Sequence, residues 1–361
     1  MALDQEQALA ALRTVKDPEL FKDIVTLGMV KALEVSGNDV AVTVELTTPA
    51  CPMKDVIERD VTVALRRAGA EAVRVTLTAN TRGAGGPPKG GALPQVKNII
   101  AVGAGKGGVG KSTVAVNLAV GLARAGAAVG LMDGDIYGPS MPTMLGLKGS
   151  RVESTNVEDV MKIVPFRVHG VHAITIGALV EQDKPLIWRG PMAHGAFKQL
   201  LLDNTHWPAL DYLIVDLPPG TGDVPLTLCQ LLPLTGAVVV ATPQQVALDD
   251  AVRAVKMFQQ LSVPILGLVE NMSYLPMPDG SIHDLFGRGG TQEAAKRLGL
   301  AFLGELPMFS ELRVNSDAGT PARNFEGNPA LREALEALVG RLAGEVSKRN
   351  LAAAGPQLTI S

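Results

Sequence analysis

Gly105-Lys106-Gly107-Gly108-Val109-Gly110-Lys111-Ser112-Thr113 satisfies the pattern G-x-x-x-x-G-K-[ST] between an apolar run, Asn98-Ile99-Ile100-Ala101-Val102, and a helical pattern. In that context the glycines let backbone N–H groups converge on phosphate oxygens, and the following helix offers its positive N-terminus to them. Lys111 can reach the β and γ oxygens and the Ser112 hydroxyl can hold Mg²⁺, so the segment predicts binding of a nucleoside triphosphate. Lys106 adds a second cation directly after the first glycine, where phosphate binding alone requires none.

Acidic groups follow at intervals suited to phosphoryl transfer. Asp133-Gly134-Asp135 closes the next apolar strand, and Asp135 is the candidate for orienting water, since this chemistry asks for positioning and charge stabilisation rather than covalent help. Asp216 ends the run Leu213-Ile214-Val215 and leads into Pro218-Pro219-Gly220, which suits a carboxylate that holds Mg²⁺ through water. The Gly220 N–H could approach the γ-phosphate and sense its loss. Asp223 either belongs to this loop or caps the next helix. Asn271 ends another strand, where its amide could read a base edge or stabilise a turn.

These residues need a scaffold that brings strand ends together. Apolar strands at Ile99–Ala104, Val129–Asp133, Ala173–Ile176, Tyr212–Asp216, Ala237–Thr242 and Ile265–Asn271 alternate with helical patterns, which predicts an α/β fold with a doubly wound, mostly parallel sheet and ligands at its carboxyl end. Pro329 to about Ser347 reads as a helix docked through Leu331, Leu335, Leu338, Val339 and Leu342. Before this domain, a helix over Gln5–Val15, strands at Val30–Val35 and Val40–Leu46, a helix over Pro52–Ala68 and a strand at Val73–Leu77 predict a small α+β domain of order α-β-β-α-β. A glycine- and proline-rich stretch separates the two. The expected organisation is 1–79 small domain, 80–96 flexible linker, 97–347 P-loop domain and 348–361 tail.

Composition narrows the classes of function. The chain has 361 residues, 47% of them hydrophobic, and a formal charge of -3, which supports sizeable cores and gives no global attraction to nucleic acid or acidic lipid. Its two cysteines, Cys51 and Cys229, cannot form a disulfide framework, and no basic-apolar leader starts the sequence. The apolar runs are too short to span a bilayer. A cytoplasmic protein with neither a nucleic-acid nor a membrane partner is expected.

Taken together, Lys106, the Asp133-Gly134-Asp135-Ile136-Tyr137-Gly138-Pro139-Ser140 run, Trp188-Arg189-Gly190-Pro191-Met192, the Asp216-to-Asp223 run and Glu270-Asn271-Met272-Ser273 resemble the Mrp/ApbC family of deviant-Walker ATPases. The resemblance covers Asn98 to about Leu342. It implies an ATP-hydrolysing homodimer in which Lys106 crosses the interface to the partner's nucleotide, with Mg²⁺ as cofactor. It also implies carriage of iron–sulfur clusters to client apoproteins, or cooperation with assembly factors. The leading segment is similar to a small iron–sulfur assembly-type domain through Val15-Lys16-Asp17-Pro18-Glu19, Asp23-Ile24-Val25 with Leu27-Gly28, and Thr48-Pro49-Ala50-Cys51-Pro52. Cys51 thereby becomes a candidate cluster ligand, and Pro52 in the first turn of a helix would place the thiol where a thiolate is favoured. Cys229, in an apolar helix, reads as packing. Members that carry a cluster usually place Cys-x-x-Cys shortly after the Asn-Met-Ser motif; here Met277 and Gly280 stand at those positions, so any cluster is expected to be labile. The alternatives are a partitioning or positioning switch like ParA or MinD, and a nucleotide-binding scaffold that has lost cluster carriage.

Overall fold

The computed structural model describes residues 3–83, 93–135, 138–157, 159–178, 195, 197–199 and 203–353. Contacts divide the chain into two units, one running from the N-terminus to Arg82 and taking in the chain from Ser347 onward, the other spanning Gly83–Val346.

The small unit opens with α1 (Gln5–Leu12), started by a reciprocal capping box in which Asp4 Oδ1 accepts from Gln7 N at 2.7 Å and Gln7 Oε1 accepts from Asp4 N at 3.2 Å. Then come β1 (Val30–Ser36), β2 (Asp39–Leu46), α2 (Lys54–Arg67) and β3 (Ala72–Ala79). β2 is central, antiparallel to β1 and parallel to β3. Its alternating burial sends Val40, Val42, Val44 and Leu46 into a core with Ile57, Val61 and Leu65 of α2. The expected element order holds, but α2 begins at Lys54 and leaves Pro52 in the preceding turn.

The large unit contains β4 (Val96–Gly103), α3 (Lys111–Arg124), β5 (Val129–Asp133), the short α4 (Met141–Met144), β6 (Glu153–Val157), β7 (Val160–Val164), β8 (Phe166–Val168) and β9 (Val171–Thr175). It continues with β10 (Leu210–Asp216), α5 (Asp223–Leu231), β11 (Gly236–Ala241), α6 (Gln245–Gln260), β12 (Ile265–Asn271), a small hairpin of β13 (Leu275–Pro276) and β14 (Ile282–His283), α7 (Gly290–Leu298), β15 (Phe302–Leu306), α8 (Ser310–Asp317) and a 3₁₀ turn at Pro321–Phe325. α9 spans Pro329–Ala353, and its residues from Ser347 onward group with the small unit.

One sheet has the order β15-β12-β11-β4-β10-β5-β9-β8, parallel except for β8 against β9. β10 and β11 are buried throughout apart from Asp211, the continuous apolar pattern expected of strands covered on both faces. β4 lies centrally, and the chain passes from it to one side for β5 and later to the other for β11. That reversal is where α/β sheets open a ligand crevice. All five predicted residues of the α9 stripe are buried. A β-carbon at Gly121 of α3 would overlap Val339, so glycine there lets the two helices approach closely.

The edge strand β15, the antiparallel β8 and the β6–β7 hairpin were absent from the sequence expectation. They are short, and β6 and β7 alternate too weakly to signal a buried face. α9 also continues through Ala353, covering residues assigned to a tail. Of the predicted linker, residues 84–92 lie outside the described residues, whereas Val96 already belongs to β4.

Candidate nucleotide site

The P-loop leaves the carboxyl end of β4 and takes left-handed backbone at Gly108 (φ +80) and Gly110 (φ +79), conformations that favour glycine. A β-carbon at Gly110 would also collide with the Asn271 side chain, and one at Gly105 would overlap the Asp250 backbone. Gly107 is exposed and Ser112 and Thr113 are partly exposed, whereas Val109 is buried. Lys106 is half-buried and makes no hydrogen bond or ion pair among the described residues.

Strand register assembles the charged groups. Asp216 of β10 pairs with Asp133 of β5, and Asp133 pairs with Thr175 of β9, so these strand ends lie level. Lys111 projects from the first turn of α3 into this row. Its Nζ stands 2.5 Å from Asp216 Oδ1, 4.0 Å from Asp135 Oδ2 and 3.3 Å from Ser112 Oγ. Asp133 Oδ2 accepts from the Thr175 hydroxyl at 2.9 Å, and Asp133 Oδ1 accepts from Asp135 N at 3.1 Å. Gly134 N donates to Asp216 O at 2.8 Å, tying the Asp135 loop to the end of β10.

Burial dominates the electrostatics. It pushes the Asp216 carboxyl upward against the pull of the Lys111 ammonium. Burial, reinforced by the charge of Asp216, raises Asp133 to about 7 while the Thr175 hydroxyl opposes the shift. Thus one buried ammonium faces several acidic groups. Asp216 Oδ2 is buried with no hydrogen-bond partner among the described residues, an unused acceptor suited to a water held by a cation. Polyphosphate entering here meets like charge unless a cation accompanies it, so this donor set fits Mg²⁺.

Three expectations change. The Gly220 N–H donates to Ala104 O at 2.9 Å, so in this conformation it is unavailable to a phosphate. Asn271 is 3% exposed and its Nδ2 donates to Val109 O at 2.8 Å, so its amide nitrogen anchors the P-loop instead of remaining free for a base. Asp223 is the first residue of α5, whose N-cap is Gly222 without any side-chain capping bond, so Asp223 does not cap the helix.

Sequence reasoning passed over Thr175, which ends an apolar strand without a recognisable motif, and assigned no separate role to Asp133. It also missed a cavity of ≈510 Å³ beside the P-loop, where Thr113, Asn271 and Met272 face Pro307, Met308 and α8 residues including Leu312 and Arg313. Ile136, Tyr137 and the Trp188–Met192 motif lie outside the described residues.

Cys51 differs from its expectation. It is 7% exposed in the small core. Desolvation pushes its thiol up to about 11, outweighing the backbone hydrogen bond at Met53, while Glu19 and Asp17 add to the rise. With α2 starting beyond Pro52, the favoured thiolate gives way to a protonated, closed thiol. Cys229 is also buried, and desolvation raises it to about 12, in keeping with packing. No group of three or more His, Cys, Asp or Glu side chains suited to a metal occurs among the described residues. Nor is any described helix long and apolar enough to cross a membrane.

Residues 95–343 match the profile of the "NUBPL iron-transfer P-loop NTPase" family, and residues 5–77 match that of the "Iron-sulfur cluster assembly protein" family. An iron–sulfur cluster carrier protein of Deinococcus radiodurans is 50% identical over 98% of this chain and 98% of its own length. The Escherichia coli K12 protein of that description is 44% identical over 86% of this chain and 84% of its own. A nucleotide-binding protein of Archaeoglobus fulgidus, solved with ADP, superposes with a TM-score of 0.57 at 37% identity, covering 67% of this chain and 93% of that one. The cell division ATPase MinD of Pyrococcus furiosus shares the fold, with a TM-score of 0.52 at 22% identity over 68% of this chain and 97% of its own. With its P-loop row of Lys111, Asp135 and Asp216 and these matches along both units, the chain belongs to the iron-transfer P-loop NTPase family and carries an iron–sulfur cluster assembly-type domain ahead of its nucleotide-binding domain.

Proposed function

We propose that this protein is a cytoplasmic, ATP-hydrolysing homodimer that binds iron–sulfur clusters and transfers them to apoproteins, or assists that transfer. The observation that carries the ATPase half is Lys111 held between Asp216 and Asp135 beside an unused Asp216 oxygen. ATP phosphates take the place of Asp216 on Lys111 while the P-loop N–H groups from Gly105 to Thr113 cradle them. Ser112 directly and Asp216 through water would hold Mg²⁺, which would supply positive charge to the phosphoryl oxygens. Asp135 orients the attacking water, and the base enters the cavity next to Thr113 and Asn271. Lys106 has no partner of its own among the described residues, which suits a cation reserved for a second subunit's nucleotide. The iron–sulfur half is supported by the names of the relatives and by the leading domain. The MinD likeness carries only the fold, so the partitioning-switch alternative falls behind.

Lys111→Ala is expected to lose Mg·ATP binding, whereas Asp135→Ala keeps it and loses turnover by at least about 10²-fold. Equal binding losses in both would contradict these separate roles. Lys106→Ala should bind ATP yet fail to dimerise with it in sedimentation. For the cargo, anaerobic reconstitution with iron and sulfide, followed by transfer to an apo-acceptor with and without Mg·ATP, decides the assignment. The second reading, a nucleotide-binding scaffold, is favoured by one observation, the buried and protonated Cys51 in a chain lacking the hairpin cysteines. Failure of the wild type to take up iron would establish it.

A further inference from the structure

Behind the cavity assigned to the base runs a chain of three side-chain amides, two fully buried and one half-buried. Asn117 is the only polar residue in the stretch of α3 from Val114 to Leu122, and it is fully buried. Its Nδ2 donates to Thr113 O at 2.8 Å, in the first turn of the P-loop helix. Its Oδ1 accepts from Nδ2 of Asn324, also fully buried, at 2.8 Å. Asn324 Oδ1 in turn accepts from Asn315 Nδ2 at 2.9 Å. Asn315 lies on α8, and both Thr113 and α8 line the cavity. The amides therefore link one wall to the other through directional bonds.

Apolar contacts are non-directional and specify the position of α8 less sharply than hydrogen bonds do. Successive hydrogen bonds in a low-dielectric interior hold one position and penalise every displacement that breaks them. Building on the reading that this cavity takes the base, we propose that Asn117, Asn324 and Asn315 are positioning residues that set the distance between α8 and the P-loop helix, and so select for a nucleotide's base without touching it. Loosening the relay lowers the fraction of molecules whose cavity is ready for a base and weakens apparent affinity in proportion. Thr113 is the last residue of the phosphate cradle, and among the described residues the relay's side-chain bonding reaches that cradle only at the Thr113 carbonyl.

Calorimetric titration of the full chain with Mg²⁺ and either ATP or inorganic tripolyphosphate, which has no base, separates the two effects. Wild type is expected to bind ATP the more tightly. In Asn324→Ala and Asn315→Ala, ATP affinity should fall about five- to tenfold while tripolyphosphate affinity stays within about twofold. A general loosening of the domain would weaken both ligands alike, and that result, or unchanged ATP affinity, overturns the relay. Wild type that binds both ligands equally would overturn the base-cavity reading, and the relay with it. Should Asn324→Ala fail to fold, the half-buried Asn315→Ala decides.

Discussion

The P-loop row and the Cys51 loop both bury reactive groups, yet they treat charge in opposite ways. At the P-loop, Lys111 and Asp216 are almost fully buried and hold each other at 2.5 Å. Charge stays inside because it is compensated. Around Cys51 desolvation drives the thiol to its neutral form, and the acidic Glu19 and Asp17 outweigh the opposing charge of Lys54. The first site is ready to exchange one partner for another, a carboxylate for a phosphate. The second must open, or gain more positive charge than Lys54 supplies, before its sulfur can act as a ligand. Burial thus has no fixed functional meaning; the partner retained inside decides it.

Removing that partner should produce the largest effect. Lys111→Ala leaves Asp216 buried without its cation and is expected to destabilise the protein by roughly 3–5 kcal/mol in urea unfolding, with much of the loss recovered in Lys111→Ala/Asp216→Asn. A single-variant loss below about 1 kcal/mol would mean that Asp216 is not held charged by Lys111, and the contrast between the two regions would collapse.

The Cys51 side of the comparison predicts a pH effect. Burial pushes the native thiol up to about 11, against 9.0 for an ordinary cysteine. Between these values the native state holds more protons than the unfolded state, so stability falls as pH rises through that window, by roughly 3 kcal/mol in all. Wild type should lose roughly 2 kcal/mol of this between pH 8 and pH 10.5 relative to Cys51→Ala, so the stability gap between them changes with pH. Native Cys51 should also resist iodoacetamide at pH 8. Rapid alkylation there would show an open site.

The sequence made the P-loop row legible because each charged group ends an apolar strand or starts a helix, and parallel register then brings Asp133 and Asp216 level. What it could not convey was which partners the groups choose. The Gly220 N–H chooses Ala104 and the Asn271 amide chooses Val109, bonds between segments far apart in the chain. Asn117, Asn324 and Asn315 likewise read as isolated polar residues until folding aligns them. At Cys51 the failure was local, because a helix start two residues later removes the thiol from the expected N-terminal position and leaves desolvation dominant.

The smallest expected energetic effect tests whether access, rather than cysteine count alone, limits iron capture. The β13–β14 hairpin turns between Met277 and Ser281, with Met277 N donating to Ser281 O at 2.9 Å and Gly280 N donating to Met277 O at 3.0 Å. Met277 is 40% exposed, and a β-carbon at Gly280 would meet no atom within 4 Å. The obstacle to a side chain is therefore the backbone, left-handed at φ +84, which should cost Gly280→Cys about 1 kcal/mol. Positions three apart across such a turn lie close enough for two thiolates to share an ion. Met277→Cys/Gly280→Cys is thus expected to lower the melting temperature of the metal-free protein slightly and to raise iron uptake in anaerobic reconstitution above wild type. Cys51→Ser in that background should leave the gain intact, because the new thiols are solvent-facing and need no opening of the small core. If the hairpin variant takes up no more iron than wild type, exposure is not what holds the native cysteines back, and the contrast drawn from the burial of Cys51 loses its functional weight.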